Sequence, residues 1–298
     1  MPKGKQRCTD HRLSMSVQTV VRQGVPIHPW VSERSEPYLP VTVFFDAHIH
    51  VQPGQCFPPS VGGAPAEKSF FCANAIRQAD WVPVLEQSAR SALVLPFLGI
   101  HPWYAGEVST GWDQELETLL RAHGSAGIGE VGLDRCCAVS LDRQLQVFQR
   151  QLHLAVVLER AVSIHCVRAW GVLVEILEPF SGSGARMMVH SFSGSAEIMH
   201  RLTRMGIYIS FSPFICTMRG RSLFDVIRQV PEHLLLLESD APDQLPLQSS
   251  QGDWSANYHQ TMASVYRQVG ALRGVPLERL KERVKENGAV FTNTKHTG

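Results

Sequence analysis

The chain lacks the cysteine spacing of a secreted disulfide scaffold. Its seven cysteines are spread over 298 residues, and no two of them form a Cys-x-x-Cys pair. Small secreted domains carry even numbers of cysteines at regular spacings, so we expect reduced thiols and a cytoplasmic location. No run of about 18 or more apolar residues is present, and the N-terminus has no apolar core of a secretory signal. The sequence therefore predicts no contact with a membrane.

The chain also has almost no net charge. Lys and Arg number 28 against 27 for Asp and Glu, which leaves a formal charge of +1. This balance excludes a protein that coats nucleic acid through bulk positive charge and leaves room for a local basic patch alone. A hydrophobic content of 44% and a charged content of 18% are typical of a globular protein with a large core.

The N-terminal part of the chain lacks the apolar period of helices and strands. Prolines recur there among polar residues, most densely between Pro26 and Pro40. We predict an irregular or poorly ordered extension over residues 1–40 and one domain over residues 41–298. Met15 is a second candidate start, and the sequence leaves that choice open.

Eight short apolar runs follow, and helical patterns fill most gaps between them, as in repeated βα units. Eight units predict an α/β fold of the TIM (β/α)8 barrel type. An open doubly wound sheet shares the local pattern. Histidines or carboxylates at the ends of five runs favour the barrel, which gathers strand ends around one axis. The runs are Val41–Phe45, Ser69–Ala73, Leu93–Gly99, Ala126–Val131, Ala161–His165, Arg186–His190, Gly206–Phe211 and Leu234–Glu238.

Two histidines follow the first apolar run. His48 and His50 stand two residues apart, and residues two apart on a strand point to one face. Both imidazoles can therefore reach one divalent ion while Ile49 turns towards packing. An isolated His-x-His is equally compatible with two hydrogen-bonded histidines in a loop. Residues later in the chain are needed to distinguish this explanation from a metal site.

More candidate ligands stand at the ends of four later runs. Glu130 lies between two glycines in the segment GEVG, which would allow a close backbone approach to a ligand. His165, His190 and Asp240 end three further runs. Each alone has a structural explanation, such as a strand cap or an ion pair. Six together at matching strand ends are typical of a site for two divalent metal ions bridged by a carboxylate.

The ordered motifs resemble those of the TatD family of metal-dependent hydrolases. The resemblance implies a TIM-barrel, amidohydrolase-like fold, divalent metal ions, and hydrolysis of phosphodiester bonds, commonly in DNA. It covers residues 41–292, and the motifs are DAHIH at 46–50, GIHPW at 99–103, GEVGLD at 129–134, HCVRAW at 165–170, VHSFSGS at 189–195 and ESDAP at 238–242.

The resemblance also implies roles for single residues. Water activated by two divalent ions (Mg, Mn or Zn) would attack the phosphorus, with Asp240 as general base and Glu130 as the second catalytic residue. An additional residue between His and Arg in HCVR and Ser239 in place of threonine depart from the family pattern, and neither removes a ligand. The implied ligands are His48, His50 and Asp240 for one ion, His165 and His190 for the other, and Glu130 as the bridge.

Substrate contacts are predicted from side chains near the strand ends. Arg168 and Arg219 follow the fifth and seventh runs, and guanidinium groups grip phosphate oxygens through paired hydrogen bonds. His101 at the third run would form a hydrogen bond to the substrate or to groups that contact the metal ligands. Trp103 could stack on a base. We predict that Asp134 supports the metal ligands or the fold and takes no direct part in catalysis.

The sequence favours one function over two alternatives. The leading prediction is a metal-dependent phosphodiesterase, a 3'-5' exodeoxyribonuclease that binds DNA or another phosphoester at the barrel mouth without an obligate protein partner. A hydrolase of C–N or carboxylic ester bonds is disfavoured, because many such sites carry a carbamylated lysine and the fourth run offers Glu130. A non-catalytic metal protein is disfavoured, because closed structural sites seldom need six ligands at an open mouth.

Overall fold

The structure is a computed structural model that describes residues 44–51, 60–61, 64–65, 69–244 and 254–294. The predicted extension over residues 1–40 lies outside the described residues and stays a prediction. Most of the proline- and glycine-rich loop over residues 51–66 also lies outside them. Within that loop, Ser60–Val61 and Ala64–Pro65 pair as two short antiparallel strands.

Eight of the described strands run parallel and carry the fold. Seven of the eight predicted runs coincide with strands. The first was placed too early, because the strand contains Asp46 and His48, whose polar side chains resemble those of a loop. The strands are β1 Phe45–Ile49, β2 Ser60–Val61, β3 Ala64–Pro65, β4 Phe70–Asn74, β5 Val94–Phe97, β6 Ile128–Asp134, β7 Val162–Val167, β8 Met187–Val189, β9 Tyr208–Phe211 and β10 Leu235–Leu237.

Backbone hydrogen bonds close the parallel strands into a barrel. β1, β4 and β5 pair as one ladder, and β6 to β10 pair as a second. Phe97 and Gly127 form a parallel bridge between β5 and β6. At the other seam His50 N donates to Ala241 O at 2.8 Å. The predicted (β/α)8 barrel is therefore confirmed, and one seam lies among the candidate ligands.

Eight helices surround the barrel in the described part of the chain. Most of them occupy gaps between the apolar runs, where helical patterns predicted them. Helix α1 separates β4 from β5, and the last two helices follow β10 in succession. The helices are α1 Gln78–Arg90, α2 Trp112–Ala122, α3 Leu141–Val157, α4 Trp170–Leu177, α5 Ala196–Arg204, α6 Phe224–Gln229, α7 Trp254–Arg273 and α8 Leu277–Thr292. None of them is long and apolar enough to cross a membrane.

Helix α8 packs against the strands at the closing seam. The short β2–β3 pair stands where the first βα unit would carry a helix, and α8 contacts β1 and β10. Gly288 allows this contact, because a Cβ there would overlap the ring of Phe45. The side-chain nitrogen of Asn287 donates to the carbonyl oxygens of Glu232 and Leu235, both at 2.8 Å. Asn287 therefore has a structural role.

Candidate metal centre

The carboxylate of Glu130 lies at the centre of a buried cluster of imidazoles. Its Oε2 lies 3.4 Å from Nε2 of both His48 and His50. Its Oε1 lies 2.8 Å from Nδ1 of His165 and 2.8 Å from Nε2 of His190. The two oxygens of one carboxylate thus face two different pairs of histidines, which is the arrangement a bridging ligand requires.

Asp240 joins the group on the Oε2 side of Glu130. Its Oδ1 lies 3.7 Å from Nε2 of His48 and 3.6 Å from Nε2 of His50. The structure therefore brings all six predicted ligands together at one end of the barrel. Three sets of donor atoms lie within 4.8 Å of one another and could hold a metal ion: His48 with His50 and Glu130, His48 with His190 and Asp240, and His101 with Glu130 and His165.

Left-handed backbone conformations occur beside three of the ligands. The φ angles are 53° at Arg168, 42° at Ser191 and 47° at Asp240. Residues with a Cβ adopt this region at a cost, and such strained residues cluster at functional sites. Arg168, Ser191 and Asp240 lie one, two and three residues after β7, β8 and β10, where the chain turns away from the barrel.

Two outer nitrogens of the cluster lie against atoms that only accept hydrogen bonds. His50 Nδ1 lies 3.1 Å from the carbonyl oxygen of Asn74, and His190 Nδ1 lies 3.3 Å from Glu238 Oε1. In the neutral ring each Nδ1 therefore carries the hydrogen, so that Nε2 presents a lone pair towards Glu130 once a second proton has been displaced. An imidazole held in this way is oriented for metal binding.

The other two predicted histidine ligands also face Glu130. His165 is turned in the opposite sense: its Nδ1 faces Glu130, while its Nε2 points towards Asp134 Oδ2 at 3.8 Å, beyond hydrogen-bonding distance. His48 Nδ1 lies 2.9 Å from Ser163 Oγ, which can accept its hydrogen. The chemistry of all six donors fits divalent metal ions.

His101 differs from these four histidines. Its Nδ1 accepts the backbone N–H of Trp103 at 3.2 Å, so Nδ1 must keep its lone pair. The hydrogen of the neutral ring then resides on Nε2, which lies 3.3 Å from Glu130 Oε1. Burial lowers the pKa of His101 to about 4, which keeps the ring neutral. The geometry makes His101 a hydrogen-bond donor towards the cluster.

Opposing charges shift the pKa values of the cluster. Burial acts to raise the pKa of Glu130, but His101, His190 and His48 outweigh it and hold that pKa well below its usual range. Burial acts to lower the pKa of His50, but the hydrogen bond that its ring donates to Asp240 and the charge of Glu130 raise that pKa to about 9. Without metal, protons therefore compensate the buried carboxylates.

Two buried carboxylates for which the sequence predicted no role support the ligands. Glu238 Oε1 faces His190 and accepts the backbone N–H of Ser191 at 2.7 Å. Asp46 accepts from the backbone N–H and the hydroxyl of Ser239, at 2.9 and 2.7 Å, and so joins β1 to the β10 end. Both precede a ligand by two residues in the sequence, and this spacing was the signal that could have identified them.

The glycines beside Glu130 allow close packing between strands, which corrects the expectation of a backbone approach to a ligand. A Cβ on Gly129 would lie 2.5 Å from Asn74 Oδ1. A Cβ on Gly132 would overlap the backbone of His165. The space that these glycines leave is filled by neighbouring strands.

A cavity of about 780 Å³ opens beside the cluster. The predicted substrate contacts Arg168 and Arg219 are exposed and are not among its lining residues. Trp103 is 49% exposed, and its Nε1 donates to Asp134 Oδ2 at 2.7 Å. The lining residues are His165, Cys166, Val167, His190, Ser191, Ser193, Pro213, Phe214, Cys216, Thr217, Asp240, Gln244, Asn257, Gln260, Thr261 and Ser264.

Known proteins resemble the chain across its barrel. The sequence matches the family described as TatD related DNase over residues 45–292. The 3'-5' ssDNA/RNA exonuclease TatD of Pantoea vagans (strain C9-1) is 31% identical over 192 residues, which cover 63% of this chain and 74% of that protein. The Homo sapiens 3'-5' RNA nuclease TATDN2 is 27% identical over 224 residues, which cover 74% of this chain and 29% of that protein.

Solved structures agree with this assignment. The crystal structure of YJJV, a TatD homolog from Escherichia coli k12, matches with a TM-score of 0.72 and 26% identity and covers 86% of this chain and 100% of that one. A TatD family hydrolase from Entamoeba histolytica, with a TM-score of 0.60 and 18% identity over 75% of this chain and 84% of that one, shares the fold. The predicted family is confirmed: the chain belongs to the TatD related DNase family.

Proposed function

We propose that this chain is a metal-dependent nuclease that removes nucleotides from the 3' end of single-stranded DNA or RNA. The observation that carries the proposal is the placement of Glu130, whose Oε2 faces His48 and His50 while its Oε1 faces His165 and His190. The names of the Pantoea vagans and human relatives describe nucleases of this polarity. Cleavage at a chain end suits a near-neutral protein better than binding along a duplex.

Two divalent ions, Mg, Mn or Zn, would be held at this centre. Such ions lower the pKa of bound water and neutralise the charge that develops on the phosphoryl group in the transition state. Mixed imidazole and carboxylate donors accept all three metals. In this proposal His48, His50 and Asp240 would hold one ion, His165 and His190 would hold the other, and Glu130 would contribute to both.

The side chains of the chain have separate tasks in this reaction. Asp240 is kept ionised, since burial opposes ionisation but His50 and the other imidazoles hold its pKa well below the usual range. Its carboxylate orients the attacking water and accepts a proton. His101 donates its Nε2 hydrogen to a phosphate oxygen. Arg168 and Arg219 stay as proposed contacts to flanking phosphates, outside the cavity.

Metal reconstitution tests the proposal. The protein is stripped of metal and reloaded separately with Mg, Mn or Zn. It is then assayed on single strands of DNA and RNA that are labelled at the 5' end. We expect stepwise shortening from the 3' end that requires metal and is lost in Asp240→Asn. Bis-p-nitrophenyl phosphate and a carboxylic ester serve as parallel substrates. Cleavage of the carboxylic ester alone would overturn the proposal in favour of a carbonyl hydrolase.

We also propose that the protein acts in the cytoplasm. Cys72, Cys137, Cys166 and Cys216 are free thiols, and Cys216 is exposed, which suits a reducing compartment. Microscopy of the tagged full chain tests this, and accumulation outside the cytoplasm would contradict it.

A further inference from the structure

A second, smaller cleft lies at the end of the barrel opposite the metal centre. Most of its lining comes from residues 124–127, 159–161 and 186, which precede β6, β7 and β8, and from residues 292–294 at the end of α8. The cleft has a volume of about 80 Å³. It can therefore hold a small anion or a few water molecules, whereas pockets that enclose drug-sized molecules measure roughly 300–1,000 Å³.

Two arginines that line this cleft, Arg160 and Arg186, are held by backbone carbonyl oxygens. Arg160 Nη2 donates to the carbonyl oxygen of Leu120 at 2.9 Å, near the end of α2. Arg186 Nε donates to the carbonyl oxygen of Phe291 at 2.9 Å, near the end of α8, and its Nη2 donates to that of Glu159 at 3.0 Å. These bonds orient both guanidinium groups before any ligand binds.

The positive charge of these arginines is only partly compensated. Within the described ranges neither of them forms an ion pair, and Arg121 nearby is already paired with Glu117 at 2.7 Å. Each helix end supplies only about half a negative charge, so two ends leave about one positive charge over. Burial and the charges of Arg186 and Arg121 lower the pKa of Arg160. Its Nε is also buried without an acceptor among the described residues, which is costly. The cleft therefore lacks a negative group.

We propose that this cleft binds a phosphate dianion beside Arg160 and Arg186, as inorganic phosphate or as the phosphomonoester group of a small molecule. Guanidinium groups bind phosphate oxygens through paired hydrogen bonds. Ser125 and Thr294, which also line the cleft, carry hydroxyl groups that can donate to further oxygens. The small volume admits the phosphate group alone. Such a site is separate from the metal centre and does not depend on the proposed function.

A phosphate titration followed by NMR tests this site. The Nε–H resonances of Arg160 and Arg186 are observed in the isotope-labelled full chain loaded with Mg. We expect inorganic phosphate to shift both resonances until saturation, with a Kd of about 1 mM or below. A nucleoside 5'-monophosphate with a lower Kd than phosphate would identify a phosphomonoester as the ligand. Resonances that stay unchanged at about 20 mM phosphate, or that respond more strongly to a single strand without terminal phosphates, would overturn the proposal.

A carboxylate placed in the lining makes the test specific to the cleft. Asn293 lines it with a φ angle of 55°, which aspartate also tolerates. We expect Asn293→Asp to raise the Kd for phosphate about tenfold or more, because like charges repel. Gln149→Glu, the same change from amide to acid at an exposed position of α3, is the matched control and should leave the Kd unchanged.

A second variant covers the case in which Asn293→Asp does not fold. Ser125→Glu adds a carboxylate to the same lining and should act in the same direction. An unchanged Kd in a folded variant of either kind would contradict the phosphate site. Neither position belongs to the metal centre, so without added phosphate both variants should hydrolyse bis-p-nitrophenyl phosphate at the wild-type rate. Failure of the wild-type protein on every phosphodiester would refute the proposed function and leave this site standing.

Discussion

Gln244 holds the side chain of Asp240. Gln244 Nε2 donates to Asp240 Oδ2 at 2.7 Å, while Asp240 Oδ1 faces the imidazoles. Gln244 cannot turn its amide around, because its Oε1 accepts from the Ser212 hydroxyl at 2.8 Å and from the backbone N–H of Phe214 at 3.2 Å. The orientation of the proposed general base is therefore fixed by a residue four positions along the chain.

Removal of this contact should impair catalysis more than folding. We expect Gln244→Leu to lower kcat by about 10–100-fold, which is the usual effect of removing a hydrogen-bond partner of a metal ligand. The melting temperature should be nearly unchanged. Steady-state kinetics on bis-p-nitrophenyl phosphate measures the effect. Gln149→Leu, the same change at an exposed position of α3, is the matched control. Equal kcat values for the two variants would refute the role of Gln244.

His101 and His165 should respond differently to the same substitution. In His101→Gln we expect the metal content to stay at the wild-type level while kcat falls by about 10–100-fold, because a donor to the transition state is lost. In His165→Gln we expect one ion fewer per chain, because an inward lone pair is lost. Elemental analysis after dialysis compares the two. Metal loss in His101→Gln would show that the ring ligates despite its bond from Trp103 N.

Metal binding should release protons and strengthen as the pH rises. In the metal-free protein the pKa of His50 is raised to about 9, against the lowering effect of burial, by Asp240 and Glu130. At neutral pH this ring therefore holds a proton that an incoming ion must displace, and the displacement costs less as the pH approaches about 9. Calorimetry in two buffers of different ionisation enthalpy measures the proton number. A heat that is independent of the buffer would contradict this prediction.

The metal-free protein should also lose stability over the same range. The pKa of His50 is higher in the folded protein than in the unfolded chain. The stability that its proton contributes is therefore fully present below the unfolded pKa and is lost as the pH rises through the folded pKa of about 9. Thermal melts of metal-free and metal-loaded samples should therefore diverge with rising pH.

Two glycines should give opposite results when replaced by alanine. Gly288→Ala places a methyl group against the ring of Phe45, and we expect a loss of about 1–3 kcal/mol from overpacking. Gly171→Ala in α4 meets no atom within 4 Å, and we expect a gain of about 0.5–1 kcal/mol from helix propensity. Denaturant melts compare both variants with the wild type. A Gly288→Ala protein as stable as Gly171→Ala would show that α8 does not pack tightly on β1.

The sequence indicated some details of the site wrongly or not at all, because these details depend on contacts between residues far apart in the chain. The spacing of Gly129 and Gly132 indicated a backbone approach to a ligand, but only the barrel shows that the neighbouring strands take that space. Gln244 stands in a turn without a periodic pattern, and its bonds reach Ser212 and Phe214 on another strand connection.

The sequence by itself determined seven of the eight strands, the family and the six candidate ligands, because strand periodicity and the residues at strand ends are local properties. Only the tertiary structure decided which nitrogen of each histidine points inward, since the outer partners Asn74, Glu238 and Asp134 come from other strands. It also decided that Glu130 faces two groups of ligands and that Arg168 and Arg219 are not among the described residues that line the cavity beside them. These properties arise when barrel closure brings distant residues within hydrogen-bonding distance, and no local pattern encodes them.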